Sequence, residues 1–256
     1  MDKITGHKKP FFSIITAVYN AGDDLLDTIN SLKQQTCIDF EYIVIDGGSD
    51  NGTLDIIKKH RVNINDWISE SDTGIYDAWN KGLELKKGEW VMFLGAGDCL
   101  YPDTLAAYKK YINETGCNLE FVSSKVKLIN KIYGYERIVG KSWTWREFRK
   151  SMCTAHVASL HHESLFGKYG NFNEGYKIAG DYELLLRAKE NLRAGYLDKV
   201  TAIMEIGGVS NSLGVYGESY IAQITSGDVN FLLAYYYKIK GEVKFLLRKV
   251  FLKSYR

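Results

Sequence analysis

One pattern constrains this chain more than any other. Over its first 120 residues, short apolar β-branched runs are each closed by a turn rich in Asp and Gly, and a helical pattern follows. Phe11 to Val18 is a continuous apolar run with Ile14, Ile15, Thr16 and Val18, and it reads as a strand buried on both faces. The turn Asn20 to Asp24 follows, and then Leu25, Ile29 and Leu32 at helical spacing. Phe40 to Ile45 is a second strand, broken by Asp46-Gly-Gly-Ser-Asp-Asn-Gly52. Trp67-Ile68 is a short third strand, and Gly74 to Lys86 a helix. Trp90 to Leu94 is a fourth strand, ending in Gly95-Ala-Gly-Asp98. Repeated strand–loop–helix units predict a mostly parallel α/β sheet with right-handed crossovers. The ligand crevice of such a sheet lies at the carboxyl ends of its strands. Packing gives no reason for carboxylates at successive strand ends, so Asp46 and Asp98 mark chemistry.

Beyond residue 120 the pattern changes. Phe121–Val126 and Ile129–Tyr133 are β-like, with Trp143 and Trp145 after them. A helix signal starts at Asp181, a strand returns at Val200–Ile206, and the last forty residues read as one or two helices. The expected division is a catalytic domain over 1–215 and a helical, basic extension over 216–256.

Composition narrows the class. With 24 Gly and only 2 Pro in 256 residues, neither a collagen-like nor a disordered chain is expected. The net charge of +2 is too small to imply a nucleic-acid partner, and none is expected. Lys238 to Arg256 holds seven basic residues and one acid, a tail of +6 that leaves −4 for the rest. Leu246, Val250 and Lys253 share one helical face there, and Lys249 adjoins it. Such a helix suits either an anionic membrane surface or packing against the body. The four cysteines lack metal or redox spacing and read as reduced thiols. The N-terminus has no apolar signal segment, so a cytoplasmic protein is expected, peripheral at most on the inner face of the membrane.

Several motifs are absent. No G-x-G-x-x-G follows a strand, and Gly140-Lys141-Ser142 lacks the glycine spacing of a P-loop. What remains is acidic. Asp46 can accept from a base's ring N–H, and Gly47-Gly48 let a ligand approach the backbone, although Asp and Ser also cap ordinary turns. Asp77, Asn80 and Lys81 lie at i, i+3 and i+4 on one helical face, where Lys81 could meet a phosphate. Asp72 could be a plain N-cap. Asp98 can hold a hard divalent cation, which needs few carboxylates when phosphates share it. Asp181 enters a helix after Gly180, either as an N-cap or as a carboxylate aimed into a cleft. His156 reads as lying on a strand beside the cleft, as a metal or phosphate contact or a structural histidine. His161 and His162 are expected to face solvent or an acceptor.

Taken together, Thr16-Ala-Val-Tyr-Asn20, Val44–Thr53, Asp72-x-Gly-x-Tyr-Asp-Ala-x-Asn-Lys-Gly82, Gly95-Ala-Gly-Asp98 and Ala179–Arg187 come in one order that resembles the family 2 glycosyltransferases of GT-A fold. The likeness covers roughly residues 10–210 and is nearest to the bacterial branch that builds colanic acid, capsule and other exopolysaccharides. It implies inverting transfer of a sugar from a nucleotide-sugar, usually with Mg²⁺ or Mn²⁺, to an acceptor that is commonly a lipid-linked saccharide. It places Thr16, Ala17 and Tyr19 at the nucleoside and Asp46, with Gly48 and Ser49, at the base, most often uracil. Asp72, Asn80 and Lys81 fall near ribose, sugar and diphosphate. Ala96, Gly97 and Asp98 stand at the D-x-D motif, with Asp98 as the metal ligand and His156 as a further contact. Asp181 matches the catalytic base. Two positions depart from the family: Ala96 replaces the first Asp of D-x-D, and Trp79 stands where relatives often have Arg. The missing Asp motivates the alternative of a non-catalytic nucleotide-sugar-binding protein.

Overall fold

A computed structural model of the chain describes residues 9–116, 118–131, 134–207 and 212–253, with side chains to residue 248. Its sheet has nine strands among these residues. β1 (Phe12–Val18) runs parallel to β2 (Phe40–Asp46) on one side and to β4 (Trp90–Gly95) on the other, and β3 (Asp66–Ser69) extends the parallel set beyond β2. The sheet then turns antiparallel. β8 (Leu160–His162) pairs with β4 and with β6 (Phe121–Asn130); β7 (Tyr135–Val139) is also antiparallel to β6, and β9 (Ala194–Glu205) is parallel to it. The two-residue β5 (Cys99–Leu100) closes the far edge against β9. The two β-like stretches expected at 121–126 and 129–133 are thus one strand as far as Asn130, with Ile132 and Tyr133 outside the described residues.

The apolar runs have a simple cause. Alternate residues of each central strand serve different cores. Ile15, Ile43, Ile45, Val91 and Phe93 enter one cluster, whereas Phe12, Ile14, Tyr42, Val44, Met92 and Leu94 enter the other. Both faces are covered, so neither can be polar. Leu25, Ile29 and Leu32 of α1 (Asp24–Lys33) are buried at the spacing read from sequence, and Asp24 and Asp27 complement the dipole at its N-terminus. α3 (Ile75–Leu85) buries Tyr76, Trp79 and Leu83.

Three helices build the end of the chain: α7 (Gly180–Ala188), α8 (Gly214–Thr225) and α9 (Phe231–Lys253). α8 starts two residues before the expected boundary at 215/216 and packs along α7. Its Gln223 donates to the Tyr182 hydroxyl (3.2 Å), and Ser226 just beyond it donates to Glu183 (2.6 Å).

Candidate active site

The parallel strands end together, and their register brings the acidic loops to one rim. Val18 of β1 lies opposite Asp46 of β2, and Ala17 lies opposite Gly95 of β4. Asp46 is fully buried, and its carboxylate is engaged on both oxygens. The Ser49 hydroxyl donates to Oδ1 (2.5 Å) and the Ser69 hydroxyl to Oδ2 (2.7 Å), and the Ser49 N–H adds a further bond. Asp46 therefore shapes the loop 47–50. Ser49 in turn accepts the Asn20 N–H (2.8 Å), tying that loop to the end of β1.

Asp72 arrives at the same place. A Cβ built on Gly47 would stand 2.4 Å from Asp72 Oδ2, so a side chain at 47 would displace the carboxylate. Asp72 Oδ1 accepts the Gly74 N–H (2.9 Å) ahead of α3, in the manner of a cap. Lys81 pairs with Glu70 (2.9 Å) and Asp77 (3.7 Å) and donates to Ser71 O (3.1 Å), so it organises the loop leading to α3. The Asn80 amide is turned elsewhere, bonding both the N–H and the carbonyl of Phe172 and reaching Glu174.

Asp98 is held as firmly. Its Oδ2 accepts the Gly95 N–H (2.7 Å), and Thr28 of α1 donates to its carbonyl (2.9 Å). Burial pushes its carboxyl up to about 7, against the pull of that Gly95 bond.

Asp98 and Asp181 line one cavity of about 690 Å³, together with Asp24, Asp27, Tyr76, Ala96, Gly97, His156 and Lys177. Asp181 lies in the first turn of α7 with its side chain 16% exposed. Oδ1 accepts the Tyr182 N–H (2.8 Å) and the Tyr76 phenol (3.3 Å). Burial pushes the carboxyl up to about 6, and the charge of Glu218 adds to that rise, against the bonds from Tyr182 and Tyr76. Gly180 makes the contact possible, since a Cβ there would lie 2.8 Å from the Tyr76 ring.

Three expectations are corrected. Thr16 is completely buried, its hydroxyl beside the Tyr42 phenol, so it belongs to the core and cannot line a pocket. Ala17 is half-buried at the strand end, and Tyr19 projects with 67% exposure. His156 lies in a turn ahead of β8, not on a strand. Its ring stacks on Trp79 and Phe93, and burial holds it down to about 3, so it is neutral. His161 faces neither solvent nor acceptor: it is fully buried among Phe93, Phe121 and Phe166. The strand expected at His156 hid this arrangement, because the turn at 157–158 resets which side chains point inward.

Three cavity features escaped the sequence reading. Tyr76 stood as a position of a recognised motif but was given no role. Asp24 was read only as the end of a turn, and Asp27 carried no signal within the helix that follows. Lys177, whose ammonium bonds Thr73 O (2.5 Å), lies in a segment without periodicity.

Among the described residues, no group of three or more His, Cys, Asp or Glu side chains converges to hold a metal. The donor set still suits a hard cation shared with phosphates. Asp98 has Oδ2 spent on Gly95 and offers one oxygen from a firmly held loop, as Mg²⁺ sites with substrate phosphates commonly need.

Comparison with known proteins agrees with this geometry. The family model described as Glycosyl transferase family 2 matches residues 13–154. A PGL/p-HBAD biosynthesis glycosyltransferase of Mycobacterium bovis is 33% identical over 216 residues, covering 80% of each chain. An uncharacterized glycosyltransferase of Mycobacterium tuberculosis is 31% identical over 183 residues, covering 70% of this chain and 69% of its own. The chain belongs to glycosyl transferase family 2. The fold is shared with residues 1–349 of S. aureus TarS in complex with UDP-GlcNAc, at TM-score 0.68 and 22% identity, covering 87% of this chain and 69% of that one. This chain spans 41% of a longer TarS structure. A mannosyltransferase from Pyrobaculum calidifontis in complex with GDP-Man and Mn²⁺ has TM-score 0.66 at 17% identity, covering 91% of this chain and 70% of that one.

Proposed function

We propose that this glycosyltransferase moves a sugar, with inversion, from a UDP-sugar to a hydroxyl of a lipid-linked saccharide used in cell-surface polysaccharide synthesis. The observation that carries the reading is the cavity shared by Asp98 and Asp181 at the carboxyl end of β4. A second support is the pair of TarS structures with UDP and UDP-GlcNAc.

In this reading the loop organised by Asp46, with Gly48 and Ser49, receives the base, and the exposed Tyr19 ring lies over it beside Ala17. Asp72 and Lys81 stand at the ribose and diphosphate side, next to Ala96 and Gly97. Asn80 acts indirectly, by holding residues 172–174. The acceptor oxygen bonds to the anomeric carbon as the bond from that carbon to the diphosphate oxygen breaks. Asp181 takes the acceptor's proton, and its raised carboxyl is a better base than an ordinary Asp. Asp98 would hold Mg²⁺ or Mn²⁺, which supplies positive charge where the leaving diphosphate gains negative charge. His156 stays outside the ligand set, as a neutral neighbour of the base with Nδ1 3.9 Å from Asp181 Oδ2.

The acceptor side is read from α9. Leu232, Tyr236, Ile239, Val243 and Leu246 recur along one face and are all exposed, while Ala234 and Phe245 are buried. Lys238, Lys240, Lys244 and Arg248 accompany this stripe, which continues in sequence through Val250 and Lys253, side chains outside the described set. An apolar stripe on a basic helix suits an anionic membrane face, where lipid-linked acceptors reside. No helix among the described residues is long and apolar enough to cross a membrane. The location proposed is the cytoplasmic face of the membrane, with peripheral contact through this stripe. The test is a panel of UDP-sugars with lipid-linked saccharides. Nucleotide release that needs both partners supports the reading, and glycan cleavage without any nucleotide overturns it.

A further inference from the structure

The match to the family model ends at residue 154, well before α8. Yet one α8 side chain is engaged with the backbone just before the proposed base. The Glu218 carboxylate accepts three consecutive N–H groups: Lys177 (3.0 Å to Oε1), Ile178 (2.8 Å to Oε2) and Ala179 (2.8 Å to Oε2). Asp181 follows two residues later. The same segment is tethered on its other side, where the Lys177 ammonium bonds the carbonyls of Thr73 (2.5 Å) and Glu174 (3.3 Å). A stretch with no regular structure of its own is thereby held between α8 and the loop that carries Asp72.

Three charge-assisted bonds on one carboxylate exceed what simple helix capping requires. Ala179 is the N-cap residue of α7, and its own side chain supplies no cap. The first N–H groups of a helix need partners, and here α8 reaches across to supply acceptors for the approach to the helix. Farther along, Gln223 and Ser226 fasten Tyr182 and Glu183 to the same helix. α8 and the residue just beyond it therefore hold α7 and its approach at three points, and Glu218 is the one that holds the approach ahead of Asp181.

We propose that Glu218 is a positioning residue for glycosyl transfer: its carboxylate gathers the 177–179 amides and so fixes the direction from which Asp181 meets the acceptor hydroxyl. This rests on the reading of Asp181 as the base. It makes the helical C-terminal region part of the active site and not an appendage. Donor binding depends on the Asp46, Asp72 and Asp98 loops, none of which Glu218 touches. Loss of Glu218 is therefore expected to act on turnover and to leave donor affinity alone.

The test uses the full chain in three forms: wild type, Glu218→Ala and Glu218→Gln. UDP release is followed with a UDP-sugar panel and saccharide acceptors, and amide hydrogen exchange is followed by mass spectrometry. Gln keeps an oxygen for the Ile178 and Ala179 amides, whereas Ala keeps none. The expected result is a kcat loss of about 10–100-fold in Glu218→Ala with donor KM within about twofold, since a misplacement near 1 Å has that order of cost. Glu218→Gln recovers most of the rate. Peptides spanning 177–183 exchange faster in Glu218→Ala, and those spanning 46–52 are unchanged. Wild-type turnover in Glu218→Ala overturns the proposal, as does unchanged exchange at 177–183. A parallel loss of kcat and donor affinity also overturns it, by showing general unfolding. If the wild-type chain releases no UDP from any donor, the glycosyl-transfer reading has failed instead, and the exchange data alone decide whether Glu218 holds this segment.

Discussion

The Tyr76 phenol donates to Oδ1 of Asp181 at 3.3 Å, joining the helix that follows the Asp72 loop to the helix that carries the proposed base. These residues are 105 positions apart in the chain. The contact depends on Gly180, and the Tyr76 ring stacks on Phe172 and meets Trp79 edge-on. Two helices far apart in the chain therefore share one hydrogen bond at the carboxylate.

Replacing Tyr76 by Phe removes that bond and keeps the ring. The bond favours the ionised carboxylate, so its loss moves the Asp181 carboxyl upward from about 6. The acid limb of the kcat profile should move to higher pH, with a loss of about 3–10-fold near neutrality, in line with one charge-assisted hydrogen bond. An acid limb that stays in place or moves down contradicts this.

Asp181 also makes a stability statement. Its carboxyl is raised in the folded protein from 3.8 to about 6, so the native state binds more protons than the unfolded chain between those values. Its contribution is most favourable below the unfolded value and is lost as pH rises through the folded one. Asp181→Asn should therefore be more stable than wild type at pH 8, by on the order of 1–2 kcal/mol, and lose that advantage near pH 4. Thermal unfolding at the two pH values measures it. Activity runs the other way, because the base must be ionised, and should fall below about pH 6.

A cation shared with phosphate should depend on Asp98. Transfer by wild type should drop at least about 10-fold in chelator and return with Mg²⁺ or Mn²⁺. Asp98→Asn should respond little to either ion. Equal metal activation of both proteins removes Asp98 from this role.

The stripe on α9 can be tested with vesicles. Wild type should co-sediment with vesicles rich in anionic lipid and not with neutral ones. Val243→Asp, at an exposed position, should weaken binding about 10-fold or more without changing thermal stability. Self-association without vesicle binding would make the stripe an interface between copies of this chain.

The parallel half of the sheet was legible because its code is local. A run such as Phe12–Val18 must be buried on both faces, and Asp46 and Asp98 have no packing reason to stand at strand ends. The antiparallel half was less so. β8 is three residues long and β5 two, too short for any periodicity, and the turn before β8 concealed that His161 is a core residue and that His156 stacks on Trp79 and Phe93 in the cavity wall. Thr16 misled through the resemblance, which set it at the nucleoside, whereas the apolar pattern around it had already placed it in a strand buried on both faces. Asp181 could be placed only through the resemblance, and its partners Tyr76 and Glu218 arise from long-range packing that no spacing encodes.

The most direct measurement compares wild type and Asp181→Asn for UDP binding and for sugar transfer. UDP affinity is expected within about threefold of wild type, because Asp181 does not hold the nucleotide. Transfer is expected to fall by about three orders of magnitude or more, as removal of a general base commonly costs. Transfer at near wild-type rate by Asp181→Asn would contradict the assignment.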